Sequence, residues 1–264
     1  MASDTLELVA HRGGAALAPE NTLAAFQNAL TVGVDAVEMD VHLTRDGEVV
    51  VFHDNVLDNK TDGHGNIADA TWAELQTLNA AAKYPNGWSE RAPISSLAEV
   101  VQILKGKVRV QIEIKRMQRD GQHSRYPQIE ARVVDILRAA GVLNQVLIIS
   151  YDWGCLTAVK TLEPRLLVGT IVAPESLALL PIPNQMTPFA LIQTIRNLQA
   201  DYLNIESNLV TKYLVDRAHA SGLKVGVWTV NEPAMMLRLA ALGIDSITSD
   251  RPDLLVKTFR DGSR

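Results

Sequence analysis

One cysteine, Cys155, in 264 residues leaves no partner for an intramolecular disulfide and rules out a cysteine-based metal cluster. No apolar run approaches the ~20 residues that a membrane-spanning helix needs. Positive charge is not in excess either: 25 Lys and Arg stand against 30 Asp and Glu, for a net charge of −5. Nothing electrostatic therefore attracts nucleic acid or an anionic membrane surface. The stretch Met-Ala-Ser-Asp-Thr-Leu-Glu-Leu at the start is acidic and soon broken by charge, unlike a secretory signal. The expectation is a cytoplasmic protein with no stable membrane insertion. Low-complexity tracts and long linkers are missing, as is any repeat finer than a strand–helix unit. What is there is 47% hydrophobic and 21% charged, enough for a sizeable buried core. The length fits one large α/β barrel or two smaller domains.

The alternation along the chain decides between them. Apolar, β-prone runs predict strands at Leu6–Ala10, Asp35–Val41, Val108–Ile114, Gln145–Ser150, Leu166–Val172, Asp201–Ile205, Lys224–Thr229 and Ser246–Thr248. Amphipathic helices are predicted at Asn21–Val32, Leu97–Leu104, Pro127–Ala140, Trp153–Leu162, Pro188–Gln199, Leu209–Ser221, Pro233–Leu242 and Pro252–Phe259. Asn21 reads as an N-cap, Ser96 with Glu99 as a capping box, and Asn231-Glu232-Pro233 as a helix start. Gly222 and Gly243 sit where helix ends favour a left-handed residue. Eight strands alternating with eight helices predict a (β/α)8 TIM barrel in one domain spanning 1–264. About 42–93 breaks the rhythm and reads as a small inserted subdomain after the second strand. Leu254, Leu255 and Phe259 on the last helix either pack on the barrel or leave a face for a homodimer.

One run carries more chemistry than the rest: Val37-Glu-Met-Asp-Val-His-Leu-Thr-Arg-Asp-Gly-Glu-Val-Val-Val-Phe-His53. Strand residues two apart share a face, so Glu38 and Asp40 point the same way, as two ligands of one cation must. Thr44-Arg45-Asp46-Gly47 reads as a tight turn. A hairpin centred on it sets residue 53 roughly opposite residue 38, and brings an imidazole beside the carboxylates. Asp35, Asp46, Asp54 and Asp58 read as turn or capping residues.

In a parallel barrel, functional groups collect at the C-terminal strand ends. Those ends carry His11-Arg12-Gly13, Glu38 with Asp40, Glu113 with Lys115, Ser150-Tyr151, Asn204 with Glu206, and Trp228-Thr229. Glu113 and Lys115 either form a structural ion pair or join the site. Ionisable groups inside a barrel are costly unless paired or bound to a cation, and a shared divalent ion relieves Glu38, Asp40 and Glu113 together. An all-carboxylate set suits a hard cation, Mg²⁺ or Ca²⁺ with Mn²⁺ as a third choice, over structural zinc. Arg12 and Lys115 suit an anionic substrate group. Metal, two cations and two imidazoles are components of phosphoester chemistry. Gly13-Gly14 is not a nucleotide cradle, because no lysine-bearing loop follows it.

The same residues resemble the glycerophosphodiester phosphodiesterases. The likeness rests on His11-Arg12-Gly13, Pro19-Glu20-Asn21-Thr22, Glu38-x-Asp40-x-His42-x-Thr44-x-Asp46-Gly47, His53-Asp54, Glu113-x-Lys115, Trp228-Thr229-Val230-Asn231 and Thr248-Ser-Asp-Arg-Pro-Asp253, in order from residue 8 to about 255. The resemblance implies a TIM barrel with an insertion after the second strand, and hydrolysis of small-molecule glycerophosphodiesters to glycerol 3-phosphate and an alcohol. It implies Glu38, Asp40 and Glu113 as metal ligands, His11 and His53 as the acid–base pair, and Arg12 and Lys115 as phosphate-binding cations. Glu20 and Asn21 would support the first loop, while Tyr84, Trp88, Tyr151 and Trp228 either wall the substrate or pack. The competing readings are a phospholipase or lysophospholipase D-like phosphodiesterase on the same barrel, a non-catalytic phosphodiester-binding module, and a metal-dependent isomerase or aldolase.

Overall fold

β-branched and aliphatic runs flanked by caps and glycines form the expected alternation in the computed structural model, which describes residues 6–85, 87–174 and 187–260. In chain order the strands are β1 (Glu7–Ala10), β2 (Ala36–Leu43), β3 (Val49–Val51), β4 (Ser95–Ser96), β5 (Arg109–Ile114), β6 (Met117–Arg119), β7 (Gln122–Ser124), β8 (Val146–Ser150), β9 (Leu167–Val172), β10 (Tyr202–Glu206), β11 (Lys224–Trp228) and β12 (Ser246–Ser249). Eight of them pair in parallel in the order β1-β2-β5-β8-β9-β10-β11-β12, and β12 returns to β1 with Ala10 opposite Ser249. The sheet is closed. A helix follows each of the eight strands, so the chain is a (β/α)8 TIM barrel with a small insertion after its second strand.

Local chemistry explains the boundaries. Ser96 and Glu99 form the reciprocal capping box that opens helix Leu97–Leu104. Gly222 and Gly243 are left-handed, at φ +78° and +84°. The cap of helix Leu23–Val32 lies one residue later than expected: Thr22 rather than Asn21 accepts from the Ala25 N–H. Helix Pro233–Ala240 is preceded by Glu232, which makes no side-chain cap bond; Asn231 is used elsewhere. On the last helix Leu255 is fully buried, and Leu254 and Phe259 pack against the same core.

Among the described residues apolar side chains segregate into three clusters. The largest lies between barrel and helices; a second, of Leu147, Ile149, Ile171 and Tyr202, belongs to strands β8, β9 and β10. Asn204 also lies in the barrel, and two glycines make room for it: a Cβ on Gly226 would stand 2.4 Å from its Oδ1, and one on Gly169 2.5 Å from its Nδ2. The third cluster, Val50, Phe52, Leu57, Ile67, Leu75 and Ile94, belongs to the insertion.

The insertion leaves the barrel through the β2–β3 hairpin. Its loop is three residues, Arg45–Gly47, closed by Thr44 N–H to the Glu48 carbonyl at 2.9 Å and by a left-handed Gly47 at φ +87°. A three-residue loop moves the hairpin centre to Asp46, so Val41 faces Val51 and the Phe52 N–H reaches the Asp40 carbonyl. The register is therefore one residue off the expected pairing, and His53 lies just past the ladder. β3 and β1 share one edge of β2 in succession, while β5 holds the other. A second hairpin, β6–β7, was not expected at all. Asp120 and Gly121 both have positive φ, the geometry of a two-residue turn, and the Asp-Gly pair was its sequence signal. It docks on the insertion through Asn66 Nδ2 to the Gln118 carbonyl, the Gln118 N–H to Asn55 Oδ1, and an Arg119–Asp69 ion pair.

Candidate active site

Three acids meet where strands β2 and β5 run side by side. Asp40 faces Glu113 across the ladder, and Glu38 lies two residues earlier on the same face. Ligand atoms of Glu38, Asp40 and Glu113 lie within 4.8 Å of one another, and all three residues are buried. Two cations partly balance them. Lys115 Nζ is 2.9 Å from Glu113 Oε1 and 3.2 Å from Asp40 Oδ1; Arg12 Nε is 3.4 Å from Asp40 Oδ2. The Glu113–Lys115 ion pair forms, and it lies within the acid cluster, so the two sequence alternatives are not exclusive.

The acids are not held alike. Burial raises the Asp40 carboxyl, but Lys115, His53, Arg12 and an Asn21 hydrogen bond outweigh it and hold the group well below its usual range. Glu38 goes the other way: burial first, then repulsion from Asp40 and Glu113, pushes it well above the ordinary carboxylate value. It accepts the Arg12 backbone N–H at 3.0 Å. For Lys115, burial is overcome by Glu113 and Asp40, and the ammonium is held above its usual pKa. A buried triad short of positive charge, with hard oxygen donors only, fits one divalent cation.

The first loop is built to support this. Arg12 and Asn21 are both left-handed, at φ +51° and +59°. Arg12 turns its guanidinium to Glu20 (3.0 Å), which is also held by Lys60 Nζ at 3.1 Å. Asn21, expected as a cap, donates from Nδ2 to Asp40 at 2.8 Å and accepts the Asp40 N–H at 3.2 Å. Asparagine tolerates this backbone region, which frees its amide for the site.

Two imidazoles face the same cavity, each backed by a carboxylate on Nδ1. His11 Nδ1 is 2.6 Å from Asp250 Oδ1, and His53 Nδ1 is 2.6 Å from Asp54 Oδ1. Both partners were missed: Asp54 was read as a turn or cap, and Asp250 entered only within a motif. Asp54 also accepts from Asn59 Nδ2, and the His53 bond is the main reason its pKa is held down at about 2. Burial would raise Asp250, but His11 and Asn231 prevail and lower it. Asn231 donates to Asp250 Oδ2 at 2.9 Å and accepts the Asp250 N–H, which is where its capping role went. A carboxylate on Nδ1 fixes the tautomer and leaves Nε2 as the working atom. For His11 that atom lies 3.9 Å from Glu38 Oε2.

A third histidine holds the second. His42 is fully buried; its Nε2–H donates to the His53 carbonyl at 2.9 Å, and its Nδ1 accepts from the Tyr126 hydroxyl at 2.7 Å. Burial lowers its pKa from 6.5 to about 4, so it is neutral at pH 7. The unfolded chain takes up this proton near pH 6.5 and the folded one near 4, so stability present above pH 6.5 is lost as pH falls toward 4. The shift corresponds to about 3 kcal/mol. NMR titration of the imidazoles is expected to show His42 with a midpoint near 4; a midpoint near 6.5 would contradict the burial argument.

Two cavities meet at this cluster. The inner one, about 150 Å³, is lined by His11, Arg12, Glu38, Asn204, Trp228 and Thr248, and the outer one, about 850 Å³, by Asp54, Arg116, His123 and Arg125 among others. His53, Glu113, Lys115 and Tyr151 line both. Tyr151 stands edge-on to Trp228, at a ring separation of 6.2 Å. Tyr84 and Trp88 pair with each other on the insertion and line neither cavity.

A closed barrel with an acid cluster, a guanidinium, an ammonium and two carboxylate-backed imidazoles at one rim is equipped for phosphoester chemistry. The chain belongs to the glycerophosphoryl diester phosphodiesterase family, whose model matches residues 11–254. It is 33% identical over 262 residues to the glycerophosphodiester phosphodiesterase of Caldanaerobacter subterraneus subsp. tengcongensis, covering 97% of this chain and 98% of that one. The corresponding enzyme of Bacillus altitudinis is 31% identical, with 95% and 97% covered. A solved phosphodiesterase of Oleispira antarctica in complex with the product sn-glycerol-3-phosphate superposes with a TM-score of 0.79 at 27% identity, covering 96% of each chain. The protein is an enzyme, a phosphoric diester hydrolase of this family.

Proposed function

We propose that the protein hydrolyses sn-glycero-3-phosphodiesters to sn-glycerol 3-phosphate and a free alcohol with a bound divalent cation, His11 and His53 acting as base and acid. The observation that carries this is the pair of imidazole–carboxylate units facing one cavity beside the acid triad. Glu38, Asp40 and Glu113 would hold the cation, which supplies charge neutralisation at the non-bridging phosphate oxygens. Arg12 and Lys115 add positive charge at the same wall.

The two cavities support the division of labour. The inner one, beside His11, is small and closed enough for a glycerol arm. In its lining Asn204 Nδ2 and Trp228 Nε1 are buried without a hydrogen-bond partner among the described residues, as a site awaiting polyol hydroxyls requires. The outer one, beside His53, leads outward and suits the departing alcohol. His11 Nε2 takes the proton of the nucleophile, the glycerol 2-hydroxyl or a water, as its oxygen bonds to phosphorus. His53 Nε2 gives a proton to the alcohol oxygen as the other phosphorus–oxygen bond breaks. Where the 2-hydroxyl attacks, water then opens the cyclic phosphate, with His53 taking the water's proton and His11 returning one to the 2-oxygen as its bond to phosphorus breaks.

Initial rates with glycerophosphocholine and with phosphatidylcholine vesicles, each with Mg²⁺, Ca²⁺ and Mn²⁺, test the reading by release of choline or phosphocholine, with glycerol 3-phosphate as the second product expected from the soluble diester. Turnover of the soluble diester is the expected result. Turnover of vesicles alone would favour a phospholipase, and binding without turnover a phosphodiester-binding module.

A further inference from the structure

Beyond Lys115 the chain runs through Arg116 into the β6–β7 hairpin, and the outer cavity lies between that hairpin and residues 53–59 of the insertion. Most charge along this wall is already matched. Arg125 binds Asp152 through Nε and a terminal nitrogen, and Asp152 also caps helix Trp153–Leu162. Asp54 is committed to His53 and Asn59, and Asn55 Oδ1 to the Gln118 N–H. Arg116 differs. It is half-buried in the lining, and among the described residues no carboxylate forms an ion pair with it. Beside it His123 is held below its usual pKa, by burial first and then by the positive charge of Arg116. That imidazole is neutral at pH 7 and offers hydrogen bonds without offsetting the guanidinium. Gln118, Ser124 and Asn59 add further polar groups.

We propose that this cavity receives the departing alcohol and prefers one that carries a second anion, with Arg116 as the recognising cation. The substrate class is a glycerophosphodiester whose second arm bears another phosphate group, as in bis(glycerophospho)glycerol. This rests on the hydrolase reading above and adds to it the chemistry of the leaving group. A quaternary ammonium would want aromatic faces around it. The aromatic lining here is Tyr151 and Trp153; Trp153 is buried with its indole N–H on the Ile171 carbonyl, and Tyr151 is set edge-on against Trp228. A cationic head group would instead meet the charge of Arg116. An anion would meet a planar donor fork, matched to phosphate geometry. The volume of about 850 Å³ also exceeds what a two-carbon alcohol fills.

Steady-state kinetics on glycerophosphocholine, glycerophosphoglycerol and bis(glycerophospho)glycerol test this, with Mg²⁺ present and glycerol 3-phosphate as readout. At low ionic strength the anionic diester is expected to exceed the cationic one in kcat/KM by about fivefold to tenfold, one charge-assisted contact in a partly solvated site. The preference should shrink as salt is raised. Arg116→Gln should remove it through KM, because in this proposal Arg116 contacts the second phosphate and not the phosphorus under attack, while Arg116→Lys should retain most of it. Equal kcat/KM for the anionic and cationic diesters, or a ratio unmoved by Arg116→Gln in a variant with native circular dichroism, overturns the proposal. No turnover of any of the three fails the hydrolase reading itself, and the proposal with it.

Discussion

His53→Ala is expected to lower kcat for glycerophosphocholine about 10²–10⁴-fold, and His11→Ala by a similar factor, with circular dichroism unchanged. Neither imidazole belongs to an apolar cluster, so truncation opens no cavity in the core. In the proposed mechanism the two groups serve the entering and leaving oxygens of one displacement, so the double variant should be little slower than the worse single one. Their carboxylates predict a graded companion result. Asp54→Asn and Asp250→Asn keep the shape but offer the ring nitrogen an amide in place of an acceptor-only carboxylate, at the 2.6 Å contacts that orient each ring. These variants should lose less than the alanines and more than a surface change. Near-normal kcat in His53→Ala would remove the acid–base assignment.

Almost all of the barrel was legible, because a strand–helix alternation with caps, prolines and glycines at the joints is written locally. The acid triad was legible for the same reason: Glu38, Asp40 and Glu113 are placed by strand periodicity and by the adjacency of the second and third barrel strands. What was missed needs closure or loop geometry. Asp250 follows the eighth strand, and only when β12 pairs with β1 does it stand beside His11. A closed barrel makes that neighbour obligatory, so reading the eighth rim position would have found it. Asp54 looked like a turn residue because it follows a strand, yet its oxygen is taken by the adjacent imidazole. Asn21 and Asn231 had the right identity for caps and were diverted to carboxylates, a choice set by backbone φ at Asn21 and by barrel closure at Asn231. The role of His42 depends on Tyr126, 84 residues away, a contact with no local signature.

Chelation is expected to abolish turnover and to lower the melting temperature together, since in the proposed reading one ion serves both. Three carboxylates within 4.8 Å are buried against two cations, one of them shared with Glu20. Like charges in a low dielectric repel, and a bound cation removes that repulsion. At a hundredfold excess over its Kd the ion should stabilise the fold by about 3 kcal/mol, a rise of several degrees for a domain of this size. Calorimetry of chelated protein with Mg²⁺, Ca²⁺ or Mn²⁺ added back measures it. Two ligand variants separate this from general damage. Both Glu38→Gln and Asp40→Asn should lose activity and the metal-dependent shift, but they should move the metal-free protein in opposite directions. Among the described residues Glu38 accepts only the Arg12 N–H, and it faces two other acids, so losing its charge relieves repulsion and raises metal-free stability. Asp40 is held by Lys115, Arg12 and Asn21, so its loss leaves buried cations short of a partner and lowers it. Activity that survives chelation, or a melting temperature indifferent to all three ions, would sink the metal assignment. Equal destabilisation of the two metal-free variants would show that the acids are held by packing and not by their charges.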